Sequence, residues 1–310
     1  MRLDLLATLA GLLIAIQSRA NGELSVRIDN SLQAALVSFG SGLIIVALVA
    51  LFHPGIRQGA RRLRAAVQSG AIPRWRLFGG VIGGVFVAVQ TQIVPLIGVA
   101  IYSVAMISGQ TAASLIVDRL GMTGGGEKKI SRRRVIAALL TVLAVLVSVW
   151  DRIDAKNLSL FAVFMGIIAG FLTGVQRALN GQVNEQSQQS FTTSFLNFIT
   201  GTTLLVTLLV VGLITHKTHI SGLHFTPWWM YLGGITGVIY IAFSSTVVQH
   251  LGVLSFTLFS VGGQLVGSLL IDLVSPTKGV HVGGFLVAGI LLTYVGVFVN
   301  NEKSVNRHRT

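Results

Sequence analysis

Apolar residues run along this chain in long blocks, interrupted at short intervals by Gly, Asn, Gln, Pro and clusters of Arg and Lys. A helix needs about 20 consecutive apolar residues to cross the hydrocarbon core of a bilayer. Blocks near that length predict spans at roughly 3–22, 31–52, 75–93, 96–118, 134–150, 158–178, 191–214, 228–248, 251–272 and 281–300. The expected fold is an all-α integral membrane protein with ten transmembrane helices and no soluble domain. The first block alone would resemble a signal peptide. It has an internal counterpart at 158–178, so residues 3–22 are expected to be retained.

The blocks repeat. Gly109–Asp118 and Gly263–Asp272 share the pattern G-Q-x-x-x-S-L-x-x-D, 154 positions apart. Gln17–Gly22 matches Gln176–Gly181 at an offset of 159, which also pairs Phe39 with Phe198 and Gly42 with Gly201. The same offset sets Ala7, Gly11 and Ala15 against Gly166, Gly170 and Gly174. Further along the offset is 154: Gly79 and Gly80 pair with Gly233 and Gly234, Gly83 with Gly237, and Gly98 with Gly252. The change in offset puts an insertion in the basic connection between about His53 and Arg74, where insertions are tolerated. The fifth block of each half aligns poorly, so the repeat is claimed through the fourth. Two copies of an odd number of spans must lie in opposite orientations. The expected domains are therefore a first five-helix repeat, 1–152, and a second, inverted one, 153–310. Inverted repeats are a hallmark of secondary transporters.

Composition and charge narrow the function. Hydrophobic residues make up 52% of the 310 and charged residues 11%, against about 25% charge in soluble domains. With no Cys, a disulfide framework or thiolate metal site is excluded. The net charge of +13 would suit nucleic acid, but the basic residues lie in short connections between apolar blocks. That is a topology signal, and no nucleic-acid partner is expected. Placing the N-terminus on one side puts 17 of the 23 Lys and Arg on that side and 6 on the other. The positive-inside rule then makes both termini cytoplasmic. No phosphate-binding, hydrolase or zinc-protease motif occurs, so no enzyme, cofactor or metal is expected, and an ATP-driven pump would need a separate ATPase subunit.

Candidate chemistry sits at the repeated polar positions. Gln110, Ser114 and Asp118 recur at i, i+4 and i+8 and form one helical stripe, which Gln264, Ser268 and Asp272 repeat. A mid-span Gln must face another helix or a wet cavity. The pair either lines a substrate pathway or bonds the halves together, and both readings are open. Asp118 and Asp272 end their spans, at the cytoplasmic and outer faces. Each is a coupling or gating candidate, or an interfacial carboxylate paired with a nearby Arg. Gln17 with Asn21, and Gln176 with Asn180, share a face by the same spacing. They either line a cavity mouth or mark helix ends before polar loops. The small-residue stripes at spacing four, such as Ala7/Gly11/Ala15, predict close helix packing.

Taken together these residues resemble the drug/metabolite transporter superfamily, specifically its YdcZ-type branch. The resemblance rests on Q-x-x-x-N-G at Gln17–Gly22 and its counterpart ending at Gly181, and on Ser38-Phe39 and Asn197-Phe198. Ile97-Gly98, Leu251-Gly252 and the doubled G-Q-x-x-x-S-L-x-x-D complete it. Many family members look like one five-helix half, and this chain looks like two fused. The resemblance implies a ten-helix transporter with a cavity between the halves, an exporter in a bacterial inner membrane. The small multidrug-resistance relatives use a membrane-embedded Glu in the first helix. Positions 5–16 hold no acid here, which argues against drug-cation/proton antiport by that mechanism.

The expectation is a secondary carrier for a small polar or amphipathic metabolite, working by alternating access. Its partners would be that substrate and the lipid bilayer. A fused inverted pair can close a cavity within one chain, making a monomer sufficient, with a homodimer as the other arrangement. The alternative function is a lipid-head-group flippase on the same scaffold, for which Arg19 and Arg177 would be the basic residues at the cavity mouth.

Overall fold

The computed structural model describes residues 3–122, 130–150, 159–223, 226–277 and 282–301, with only the backbone described at 118, 245–258, 300 and 301. Ten helical elements follow in order: α1 Leu3–Arg27, α2 Ser31–Phe52, α3 Pro54–Gln68, α4 Gly79–Ile97, α5 Val99–Arg119, α6 Arg132–Ser148, α7 Leu160–Ser187, α8 Ser190–Ile214, α9 Gly233–Val274 and α10 Gly284–Asn301. Short 3₁₀ turns, Arg74–Phe78 and Trp228–Leu232, lead into α4 and α9.

Local chemistry sets the ends. The α1–α2 turn passes through Asp29 at φ 47°, and the α7–α8 turn through Gln188 at φ 52°. These two left-handed residues are 159 apart, so the repeat extends to backbone conformation. Each is followed by an N-cap: Asn30 accepts from the Gln33 amide and Gln189 from that of Phe191. Such caps satisfy amides that the first helical turn leaves without partners. Between α4 and α5 the chain turns at Gly98 with φ 83°, a conformation glycine adopts without steric cost.

Burial follows the demands of a bilayer. Every residue of α5 from Val99 to Gln110 is buried, which makes it the central helix. Large apolar side chains are exposed along one face of other helices: Ile44, Leu48 and Leu51 on α2, Leu139, Leu143 and Leu146 on α6, and Val206 and Val210 on α8. Spacings of three and four put each set on one stripe, the side a membrane would solvate. Among the described residues six helices are long and apolar enough to cross a membrane. Shorter apolar stretches lie at Trp228–Ser244, Phe259–Val274 and Gly284–Val299.

The element α9 carries two predicted spans, and its two arms run in opposite directions. Gly233 lies against Asn21, and Ser275 just past the other end accepts from Arg19. A straight helix of 42 residues would be about 63 Å long, and its ends could not meet neighbouring residues of α1. The first arm, 233–244, runs antiparallel to α1, with Gly237 facing Gln17. The second arm, 259–274, runs parallel to it, with Gly263 on Thr8 and Gly267 on Leu12.

Contacts between the halves come in reciprocal pairs. A Cβ on Gly11 would fall well under 3.0 Å from the Ser260 carbonyl oxygen, and one on Gly170 equally close to that of Met106. Gly263 stands in the same way on Thr8, and Gly109 on Ile167. Gly42 packs on Phe198 and Gly201 on Phe39, with the two rings 5.3 Å apart. Each member of one pair is offset from its counterpart by 154 or 159. Thus α1 packs on α9, while α7 packs on α4 and α5. Helices α6 and α10, whose sequences do not align, pair with each other through Gly289 and Gly296.

Three expectations are revised. The basic connection after His53 contains a 15-residue amphipathic helix, α3, with Ile56, Gly59, Leu63 and Ala66 buried. Its four arginines lie between these apolar positions and hide the period when hydropathy is averaged. Pro95, whose place just before the block 96–118 suggests that it opens that span, lies instead in the last turn of α4. Helices α1 and α7 run five and nine residues past their predicted ends, to Arg27 and Ser187, because the polar residues there pack against other helices.

Candidate functional site

The repeated Gln residues lie where the halves meet. Gln264 is 1% exposed, and its Nε2 reaches the Met106 sulfur of α5 at 3.5 Å. Thioether sulfur is a weak acceptor, so this contact holds the amide in place with little energy. Gln110 is 7% exposed, beside Gly174 of α7, and neither its Nε2 nor its Oε1 has a hydrogen-bond partner. Burying an amide without partners costs several kcal/mol in an apolar medium. The orphaned amide is thus a place where a ligand or water would bind favourably. The Ser114 and Ser268 hydroxyls donate to their own helices, at Thr111 O (2.7 Å) and Leu265 O (3.0 Å). Among the described side chains of the two stripes, this leaves the Gln110 amide without a partner.

The carboxylates separate. Asp272 is 1% exposed and accepts from the Val99 amide at 3.2 Å and the Ala100 amide at 2.8 Å. It ends one helix and caps another, where the positive end of the α5 dipole favours it. It keeps its expected place at the end of its span, and there it is buried against the start of α5. The side chain of Asp118 lies outside the described residues.

Gln17, Asn21, Gln176 and Asn180 belong to helix interiors, not helix ends. Asn21 is fully buried and donates to Gln90 Oε1 at 3.0 Å, and Gln90 donates to Ser18 Oγ at 2.8 Å. In the other half the hub is on α8. Asn197 accepts from Gln176 Nε2 at 3.0 Å and donates to Asn180 Oδ1 at 2.7 Å. Gln17 faces Gly237 and Gln176 faces Gly83, both glycines opening room for an amide. Gln90 was missed in sequence, and Asn197 was noted only for the family resemblance, because neither recurs: their counterparts are Ser244 and Ser38. A mid-span amide is itself a signal, and Gln90 carried it.

Arg177 was expected at a cavity mouth. It lies ten residues before the end of α7, about 15 Å inside it. Its Nε donates to the Tyr240 hydroxyl at 3.0 Å, with the guanidinium 5.9 Å from the ring centroid. Arg19 is arranged differently. It is paired with Glu23 at 2.7 Å and donates to Thr277 and Ser275, pinning α1 to the end of α9.

Both ends of the helix bundle carry ties between the halves. On the side of the α1–α2 turn, Gln33 Nε2 donates to Ser221 O at 2.7 Å and its Oε1 accepts from the Ser221 amide at 2.9 Å. Asn30 adds bonds to Thr218 and His219. On the other side Thr192 donates to Ile56 O at 3.0 Å and Gln182 to Met122 O at 3.0 Å.

Comparison with known proteins identifies the scaffold. The sequence profile of a family described as "Putative inner membrane exporter, YdcZ" matches residues 3–147 and again residues 161–299. No curated protein matches the chain. A solved structure titled only "Crystal structure of protein" superposes with a TM-score of 0.53 at 15% identity, over 96% of this chain and 94% of that one. At that identity the likeness concerns the fold.

Proposed function

The chain belongs to the YdcZ family of the drug/metabolite transporter superfamily, and from that premise we propose a secondary carrier that exports a small polar or amphipathic metabolite by alternating access. The chain is a multi-pass inner membrane transport protein whose partners are a small-molecule substrate and the bilayer. In the proposed arrangement ten spans form two inverted five-helix repeats, 1–152 and 153–310. The two arms of α9 count as separate passes. The reciprocal glycine contacts between α1 and α9 and between α7 and α5 support this. With ten passes and the bias of Arg and Lys, both termini are cytoplasmic.

The orphaned amide of Gln110 is the observation that carries the reading. Gln110 and Gln264 line the substrate pathway near the axis relating the halves, with Gln17, Asn21, Gln176 and Asn180 as its polar walls. The ties at Gln33–Ser221 and at Thr192–Ile56 are the outer and inner gates, and opening one side requires breaking one set. Counterflow in proteoliposomes loaded with a pooled metabolite library, with and without a pH gradient, tests the proposal. Saturable exchange is expected in wild type and lost in the Gln110→Leu, Gln264→Leu double variant. Unchanged exchange in that variant, correctly inserted, would sink it.

A second reading, movement of a lipid head group, is favoured by one feature. An apolar groove of about 450 Å³ opens between α1, the second arm of α9 and α10, lined by Leu12, Phe259, Val266, Tyr294 and Phe298. A fluorescent-lipid scrambling assay separates the two.

A further inference from the structure

Arg177 belongs to the apolar span Leu160–Ser187. An arginine there is costly, and such residues pair, line a water-filled cavity or mark a substrate path. A guanidinium near a helix end commonly extends toward the headgroups. This one extends instead to Tyr240. The depth of Tyr240 follows from the register of the first α9 arm on α1, where Gly233 meets Asn21 and Gly237 meets Gln17. One further turn sets Tyr240 level with about Ile14, near the middle of α1.

The contacts to Tyr240 orient the guanidinium without neutralising it, since the phenol is uncharged. Among the described residues the ion pair recorded is Arg19–Glu23, and no carboxylate lies within pairing distance of Arg177. The site also departs from the repeat. Ser18 and Phe86 occupy the positions equivalent to Arg177 and Tyr240. The second half thus carries an arginine at a position where the first has serine, at mid-depth, with no carboxylate partner among the described residues. Gly174, three residues before Arg177 and on the same helical face, abuts the backbone of Gln110, whose amide is buried and unpartnered.

Resting on the carrier reading above, we propose that Arg177, oriented by Tyr240, binds an anionic group of the transported molecule, a carboxylate or phosphate. Gln110 hydrogen-bonds the remainder. A planar guanidinium offers an anion a paired set of donors, and the anion balances its charge. With a singly charged anion the bound unit is neutral, so the loaded site holds no bare cation in hydrocarbon.

The test is uptake into proteoliposomes holding wild type, Arg177→Gln, Arg177→Lys or Tyr240→Phe. The probes are lactate, succinate, inorganic phosphate, a lipophilic cation and a neutral sugar, plus fluorescent phosphatidylglycerol to distinguish a lipid phosphate from a soluble anion. Size-exclusion profile and thermal unfolding confirm that each variant is folded. At least one anionic probe should move saturably in wild type and at least tenfold more slowly in Arg177→Gln. Arg177→Lys should restore part of the rate, and Tyr240→Phe should raise KM severalfold with kcat little changed. Saturable flux confined to the cation or the sugar, or anion flux unchanged in Arg177→Gln, overturns this inference and leaves the carrier reading standing. No protein-dependent flux of any probe overturns both.

Discussion

Asp272, in the last turn of α9, accepts the backbone amide of Ala100, in the first turn of α5, at 2.8 Å. A second bond from Val99 completes the cap. One side chain thus ties the end of a helix in one half to the start of the central helix in the other.

Replacing Asp272 by Ala leaves two buried amides unsatisfied and should cost about 2–3 kcal/mol. Asn keeps an acceptor oxygen and should cost roughly half of that. Thermal unfolding in detergent measures both. If Asp272→Asn is instead as stable as wild type but loses gradient-dependent transport, the carboxylate is a coupling group rather than a cap.

Gln110→Leu should separate stability from function. Its amide has no partner to lose, so an apolar replacement should leave stability unchanged or raise it by about 1–2 kcal/mol. Transport should fall at least tenfold in kcat/KM. A lower unfolding temperature with intact transport would make Gln110 a packing residue.

Backbone approach predicts a contrast among glycines. Ala at Gly11 or Gly170 would drive a methyl group into a carbonyl oxygen of the facing helix. Either should sharply reduce the yield of monodisperse protein, through overpacking of about 1–3 kcal/mol or more. At Gly40 and Gly181 a methyl group would meet nothing within 4 Å, and Ala there should be tolerated. Fluorescence-detected size exclusion compares the four directly.

The Gln33–Ser221 pair should act as an outer latch. Gln33→Ala removes two hydrogen bonds, each worth about 1 kcal/mol, and should favour the outward-open state by about thirtyfold. The chain has no Cys, so a single Ser38→Cys, buried against Gly233, reports accessibility alone. Its labelling by a membrane-impermeant maleimide should speed up correspondingly. An unchanged rate would remove Gln33 from the gate.

Gln110 and Gln264 were legible as a pair because an amide in an apolar block is conspicuous and these two recur. Asp272 was legible as a position but not as a cap. Its partners are backbone amides, which carry no side-chain signature, and they lie 172 and 173 residues away in the chain. Arg177 was visible too, but its depth was misjudged. Hydropathy ends the span near 178, whereas packing against α4 and α8 carries α7 to Ser187.

By itself the sequence determined the apolar blocks, the doubled half, the charge bias and the small-residue stripes. These are local properties: transfer free energy accumulates residue by residue, and a repeat is a comparison of the chain with itself. Only the tertiary structure decided which stripe meets which. A Gly at every fourth position says that a helix face can approach a partner closely, and any other small-residue face would satisfy it. The choice of α9 for α1 and of α5 for α7, the opposed arms of α9, the burial of Asp272 and the meeting of Arg177 with Tyr240 all depend on that choice of partner. It minimises unfilled space and unsatisfied polar groups over all helices at once, and no single segment encodes that sum.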